Sequence, residues 1–231
     1  MYWDSTGDWR STYYKELHER DEHNLSFVEK FERDLDLLEL NSTIKLLEKT
    51  DITEVLDIGC GTGRQILHYC SLYPNKHFTG VDISEHQIQL FQTIIYSKNL
   101  SNITAVQMDA TNVNNLNKQY NLITFYNNSF GCLTEKQQKE CLKKIFKIIA
   151  PKGYLLIGCF DRIDLAEKCY QEWNLPIVAL DINTGVVDLG VYKSCWKTHK
   201  LFLPILNTSS FHCCSKKSDG LGSVYIFQNN R

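Results

Sequence analysis

From residue 25 to 49 the apolar positions Phe27, Phe31, Leu35, Leu38 and Leu46-Leu47 recur among acids and lysines at helical spacing. That rhythm predicts a helical preface. Beyond residue 50 it breaks into short apolar runs separated by amphipathic stretches. Strands are predicted at Glu54 to Ile58, His77 to Val81, 103–107, 121–126 and 154–158, and helices at Gln65 to Leu72, Glu85 to Lys98 and 134–149. A short irregular connection stands between the third and fourth strands. Strands that alternate with helices indicate an α/β fold, a parallel sheet covered on both faces, because each crossover helix buries its apolar stripe on the sheet.

The last third changes character. Ile163 to Trp173 reads as a helix, and the rest is rich in Val, Tyr, Thr and Gly. Segments 177–182, 185–195 and 199–206 read as strands, with Asn183-Thr184-Gly185 as a turn between the first two, and Ser223 to Gln228 as one more. An antiparallel pair made from these pieces is expected to close one side of the parallel sheet.

With 231 residues, 43% of them hydrophobic, the chain can bury one sizeable core. A net charge of −2 offers no general attraction for nucleic acid or an anionic membrane, so neither is expected as a partner. The polar, aromatic start, Met1 to Arg10, lacks the apolar core of a secretory signal, and no apolar stretch is long enough to span a membrane. Several of the nine cysteines, including Cys60, Cys141 and Cys159, fall in core elements and read as reduced small hydrophobes of a cytoplasmic protein. His212-Cys213-Cys214 is the cluster that suggests a metal. Adjacent cysteines point in different directions and no Cys-x-x-Cys pair accompanies them, so no metal site is expected.

The chemistry centres on Val55-Leu56-Asp57-Ile58-Gly59-Cys60-Gly61-Thr62-Gly63, where a strand delivers an acid into a glycine-rich turn before a helix. Missing side chains let a ligand lie on the backbone there, beyond the carboxyl ends of the strands. A dinucleotide fingerprint would need a further glycine where Arg64 stands, which argues against a nicotinamide cofactor. Asp82 ends the second strand at the spacing where a carboxylate accepts both ribose hydroxyls. After the third strand, Asp109 can accept from an adenine amino group or cap a helix, and Met108 offers a soft apolar contact. After the fourth, Tyr126-Asn127-Asn128-Ser129-Phe130 places amides and a hydroxyl where an amine could be oriented for attack.

Together these residues resemble the class I S-adenosylmethionine-dependent methyltransferase family over roughly residues 50–160. The resemblance implies a Rossmann-like sheet, mostly parallel with an antiparallel C-terminal strand pair. It also implies a helical lid and preface over 1–49 and a cofactor domain over 50–231, with substrate-side elements in 160–215. By the same likeness, Asp57 and Gly59 would hold the methionine amino end of S-adenosylmethionine, Asp82 its ribose, and Asp109 with Ala110 its adenine. Cys60, Gly61, Gly63, Ile83, Met108 and Asn127 complete the expected cofactor set.

The Asn128-Ser129-Phe130 element is similar, more loosely, to the glycine and sarcosine N-methyltransferase branch, which implies that Asn128 and Ser129 contact the acceptor amine. That branch also has an arginine that clamps an amino-acid carboxylate, for which Arg162 is the candidate; a pairing of Arg162 with Asp161 or a solvent-facing charge are the competing readings. Tyr14, in a segment expected to fold back as a lid, is the further substrate-side candidate. The expected reaction is methyl transfer to a small molecule, preferably the nitrogen of a carboxylate-bearing amine. An O-methyltransferase acting on a phenol or carboxylic acid, or a non-catalytic cofactor-binding subunit, are the alternatives. Oligomeric state is not legible.

Overall fold

In a computed structural model, residues 7–207 and 209–231 are described, with side chains from Thr12 onward. The chain opens with helices α1 (Gly7–Glu19) and α2 (Phe27–Leu47). Ser26 starts α2 through a capping box: its hydroxyl accepts from the Glu29 amide while the Glu29 side chain accepts from the Ser26 amide. Then β1 (Glu54–Ile58), α3 (Arg64–Leu72), β2 (His77–Asp82), α4 (Glu85–Ser97) and β3 (Ile103–Gln107) follow in alternation. A 3₁₀ segment, Ala110–Leu116, leads to β4 (Tyr120–Phe125), α5 (Glu135–Ile148) and β5 (Ile149–Phe160).

The principal sheet has seven strands in the order β3-β2-β1-β4-β5-β10-β9. Strands β1 to β5 are mutually parallel, and β10 (Gly222–Asn229) runs antiparallel to both β5 and β9 (Phe211–Asp219). Helices cover both faces. The buried strand residues divide between two apolar layers, one around Val55, Phe78, Leu122 and Leu156, the other around Leu56, Val81, Ile123 and Leu155. Consecutive residues point to opposite faces, so each central strand feeds both layers and reads as a continuous apolar run.

The last third differs from expectation in three places. Segment 199–206, read as a strand, is part of helix α7 (His199–Asn207), with Pro204 inside it. Phe202 and Leu206, four residues apart, are its buried pair, and Phe202 packs edge-to-face on Tyr225 and Phe227 of β10. Segments 177–182 and 185–195 do supply strands, namely β6 (Ala179–Asp181), β7 (Val186–Asp188) and β8 (Lys193–Cys195), but these form a separate three-stranded antiparallel sheet. They are joined to β5 through α6 (Ala166–Glu172). The strand that completes the antiparallel pair is instead β9, an edge strand whose side chains are largely exposed.

Candidate cofactor and acceptor site

The order of strands reverses between β1 and β4, and a cavity of about 630 Å³ opens over their carboxyl ends. The glycine turn forms its floor. Gly59 and Cys60 donate their amides to the Val81 carbonyl (2.8 and 3.0 Å), which fastens the turn to β2. Gly63 adopts φ +78°, and a Cβ there would come within 2.1 Å of the Phe91 ring. The absent side chain is therefore needed for α3 to begin against α4.

Asp82 accepts from the Gly61 amide at one oxygen and the Ser84 amide at the other, both at 2.9 Å. Its carboxylate thus sets the turn and faces the cavity at once. Asp109 caps the following 3₁₀ segment, with one oxygen accepting from both the amide and the hydroxyl of Thr111 at 2.7 Å. Capping and lining coexist in this residue.

Asp57 is nearly inaccessible, and Thr124 donates to its Oδ1 at 3.0 Å. Burial, reinforced by the nearby Asp82 charge, pushes its carboxyl up to about 7. Behind it Glu39 accepts from the Asn127 amide at 2.8 Å, and complete burial drives that carboxyl well above its ordinary range. Gly158 makes room for it, since a Cβ there would lie 1.9 Å from Glu39 Oε1.

Of the expected cofactor residues, all but Gly63 line the cavity. The substrate-side set divides. Tyr14, Asn128 and Ser129 line it too. Asn128, however, is buried and its amide bridges the protein: Nδ2 donates to Ser194 Oγ at 3.1 Å, and Oδ1 accepts from the Phe160 amide at 3.1 Å. It acts as a strut between β4 and the far wall. Ser129 Oγ donates to the Ile58 carbonyl at 3.3 Å. Tyr14 lies under the Arg64 guanidinium, 4.1 Å from the ring centroid.

Arg162 is not brought to the cavity. Its guanidinium pairs with Asp164 in a two-pronged contact (Nε to Oδ1 3.0 Å, Nη2 to Oδ2 2.7 Å) at the surface, where an acid two residues away satisfies it. The carboxylate clamp expected there is absent from this structure's cavity wall.

Sequence reasoning missed the stripe Glu29, Glu32, Asp36 and Glu39. Its spacing of three, four and three residues puts four acids on one face of α2, which was legible but reads like an ordinary solvated face. The structure turns that face inward. Tyr13 donates to Glu32 at 2.5 Å, and Glu29 pairs with Arg20 at 2.6 Å. Asp36 receives both arms of Arg64, His18 Nε2 at 2.9 Å and Gln65 Nε2 at 3.0 Å. Burial opposes its charge, yet Arg64 and His18 outweigh it and hold the Asp36 carboxyl below its ordinary range. The opposite wall falls within the 160–215 span expected to carry substrate-side elements, but its residues were not assigned from sequence: Phe160, Tyr170, Glu172, Trp173, Tyr192 and Ser194, drawn from β5, α6 and the small sheet region.

Cys141 and Cys159 are buried, whereas Cys60 is half-buried and lines the cavity. Cys213 and Cys214 are exposed on β9, and the Cys214 sulfur lies 3.2 Å from His212 Nε2. Among the described residues no group of three or more His, Cys, Asp and Glu is placed to hold a metal ion, and no helix is long and apolar enough to cross a membrane.

A glycine turn at the switch point of a mostly parallel sheet, followed by strand-end acids at Asp82 and Asp109, defines a nucleoside-binding class I fold. Residues 55–153 match the model of a family described as a methyltransferase domain. The chain is 31% identical over 112 residues to the malonyl-[acyl-carrier protein] O-methyltransferase of Bacillus cereus, covering 48% of this chain and 39% of that protein. It is 25% identical over 120 residues to the demethylmenaquinone methyltransferase of Listeria welshimeri, covering 52% and 49%. The chain spans half or less of the length of these curated relatives. A solved S-adenosylmethionine-dependent methyltransferase from Clostridium acetobutylicum shares the fold across 97% of this chain and 99% of its own, with a TM-score of 0.67 at 14% identity.

Proposed function

We propose that this protein transfers a methyl group from S-adenosylmethionine to a small molecule bound in the same cavity. The observation that carries this reading is that one cavity joins the glycine turn, Asp57, Asp82 and Asp109 to a second compartment walled by α2, α6 and the 190–195 segment. Bound there, the cofactor supplies an electrophilic methyl on a sulfonium. The residues fit it: side-chain-free turn backbone, a carboxylate at Asp82 for ribose hydroxyls, Met108 and Asp109 for the base, and Asp57 for the ammonium.

Displacement at carbon asks the protein to align the acceptor and exclude water. Asn128 contributes by tying the β4 end to Ser194 and Phe160, and Ser129 by filling the gap beside Gly59. Nitrogen remains the favoured acceptor atom. No arginine is open to an acceptor carboxylate among the described cavity residues, because Arg162 faces Asp164 and Arg64, the arginine that does line the cavity, is engaged by Asp36.

Calorimetry tests the cofactor half. S-adenosylmethionine should bind the protein, and Asp82→Ala should weaken it by at least about tenfold, the loss expected when a charge-assisted pair and the turn it braces are removed together. Equal affinity for both would refute the assignment.

A further inference from the structure

We propose that the acceptor is an amine carried on a flat apolar body, free of carboxylate. This deepens the methyl-transfer reading and rests on it. The acceptor compartment has aromatic walls: Phe160 and Trp173 lie 6.1 Å apart between centroids, and Tyr170 meets Trp173 edge-on at 5.1 Å. Tyr192 stands on the same wall. Such faces present the negative side of their π-systems, which suits a flat ring or a cation and repels an anion.

The compartment's charges agree. Glu29, Glu32 and Glu172 line it, and among the described residues the one cationic side chain on the cavity wall is Arg64, held by Asp36. Arg20, which pairs with Glu29, lies outside the wall. A substrate carboxylate would therefore sit among like charges with no guanidinium or ammonium to receive it.

Charge flow in the reaction points the same way. The amine lone pair forms the new C–N bond as the carbon–sulfur bond breaks with its electrons passing to sulfur, so positive charge moves from sulfur to nitrogen. The new ammonium then gives its proton to water. Carboxylates grouped at the acceptor end stabilise that arriving charge, whereas they would oppose ionisation of a phenol.

The test is calorimetry on the full chain loaded with S-adenosylhomocysteine, titrated with phenethylamine against phenylalanine, tyramine against tyrosine, and tryptamine against tryptophan. Each amine should bind about tenfold or more tighter than its carboxylated partner. Glu32→Gln should reduce that preference to about threefold or less. Equal or tighter binding of the carboxylated members overturns the inference, as does failure of every amine to bind the loaded protein. If S-adenosylhomocysteine itself does not bind, the methyl-transfer reading falls, and the inference with it.

Discussion

Asp57 shows how burial and function meet in one side chain. Unfolded, its carboxyl loses a proton at about 4, whereas in the folded protein burial pushes this up to about 7. Between those values the native state holds more protons than the unfolded one, so stability without ligand falls as pH rises through that window and levels above it. Cofactor binding has the opposite dependence. A cationic methionine end favours the ionised carboxylate, so S-adenosylmethionine affinity should weaken toward tenfold per pH unit below about 7, with proton uptake by buffer accompanying binding. Calorimetry in two buffers of different ionisation enthalpy reads this directly; Asp57→Asn should flatten the profile, and an unchanged slope in that variant would assign the proton elsewhere. Asp57, Asp82 and Asp109, which line the cavity, were all legible as candidates because their positions at strand ends are fixed by local spacing. The role of Asn128 was not legible, since the partners that occupy its amide, Ser194 and Phe160, lie 66 and 32 residues away.

At the scale of elements, α1 and α2 are fastened to the cofactor domain through Arg64. Its guanidinium bonds Asp36 of α2 with both arms and covers the Tyr14 ring of α1, while His18 of α1 reaches the same carboxylate. Removing the arginine leaves Asp36 buried with its main counter-charge gone. Arg64→Ala should therefore lower unfolding stability by about 3 kcal/mol in urea titration; a loss under about 1 kcal/mol would mean that the contact is solvent-screened. The parallel strands β1 to β4 and the helices between them were predicted nearly to their ends, since each carries a local period, whereas β5 begins at Ile149, ahead of the predicted 154–158. Helix α7 was not, because Leu201, Leu203 and Ile205 alternate like a strand while Phe202 and Leu206 carry the helical contact. Strand β9 has little apolar pattern to read, being an exposed edge. Its available signal was the turn Asp219-Gly220, where Gly220 takes φ +56° between two strands.

For the whole molecule, a net charge of −2 conceals a strong local asymmetry. Asp57, Asp82, Asp109, Glu29, Glu32 and Glu172 face one cavity, against Arg64. Composition averages that field away, whereas the fold gathers it from α2, three strand ends and α6. The cofactor half is built from consecutive βα units and could be read from the sequence; the acceptor half is assembled across the chain and needed the structure. A protein arranged in this way should carry positive charge from sulfur to nitrogen in its reaction. The most direct measurement is mass spectrometry after incubating the protein with methyl-labelled S-adenosylmethionine and a panel of aryl-alkyl amines, matched phenols and matched carboxylic acids. The label should appear on amine nitrogen; label confined to oxygen, or no labelled product while the cofactor binds, would contradict the account.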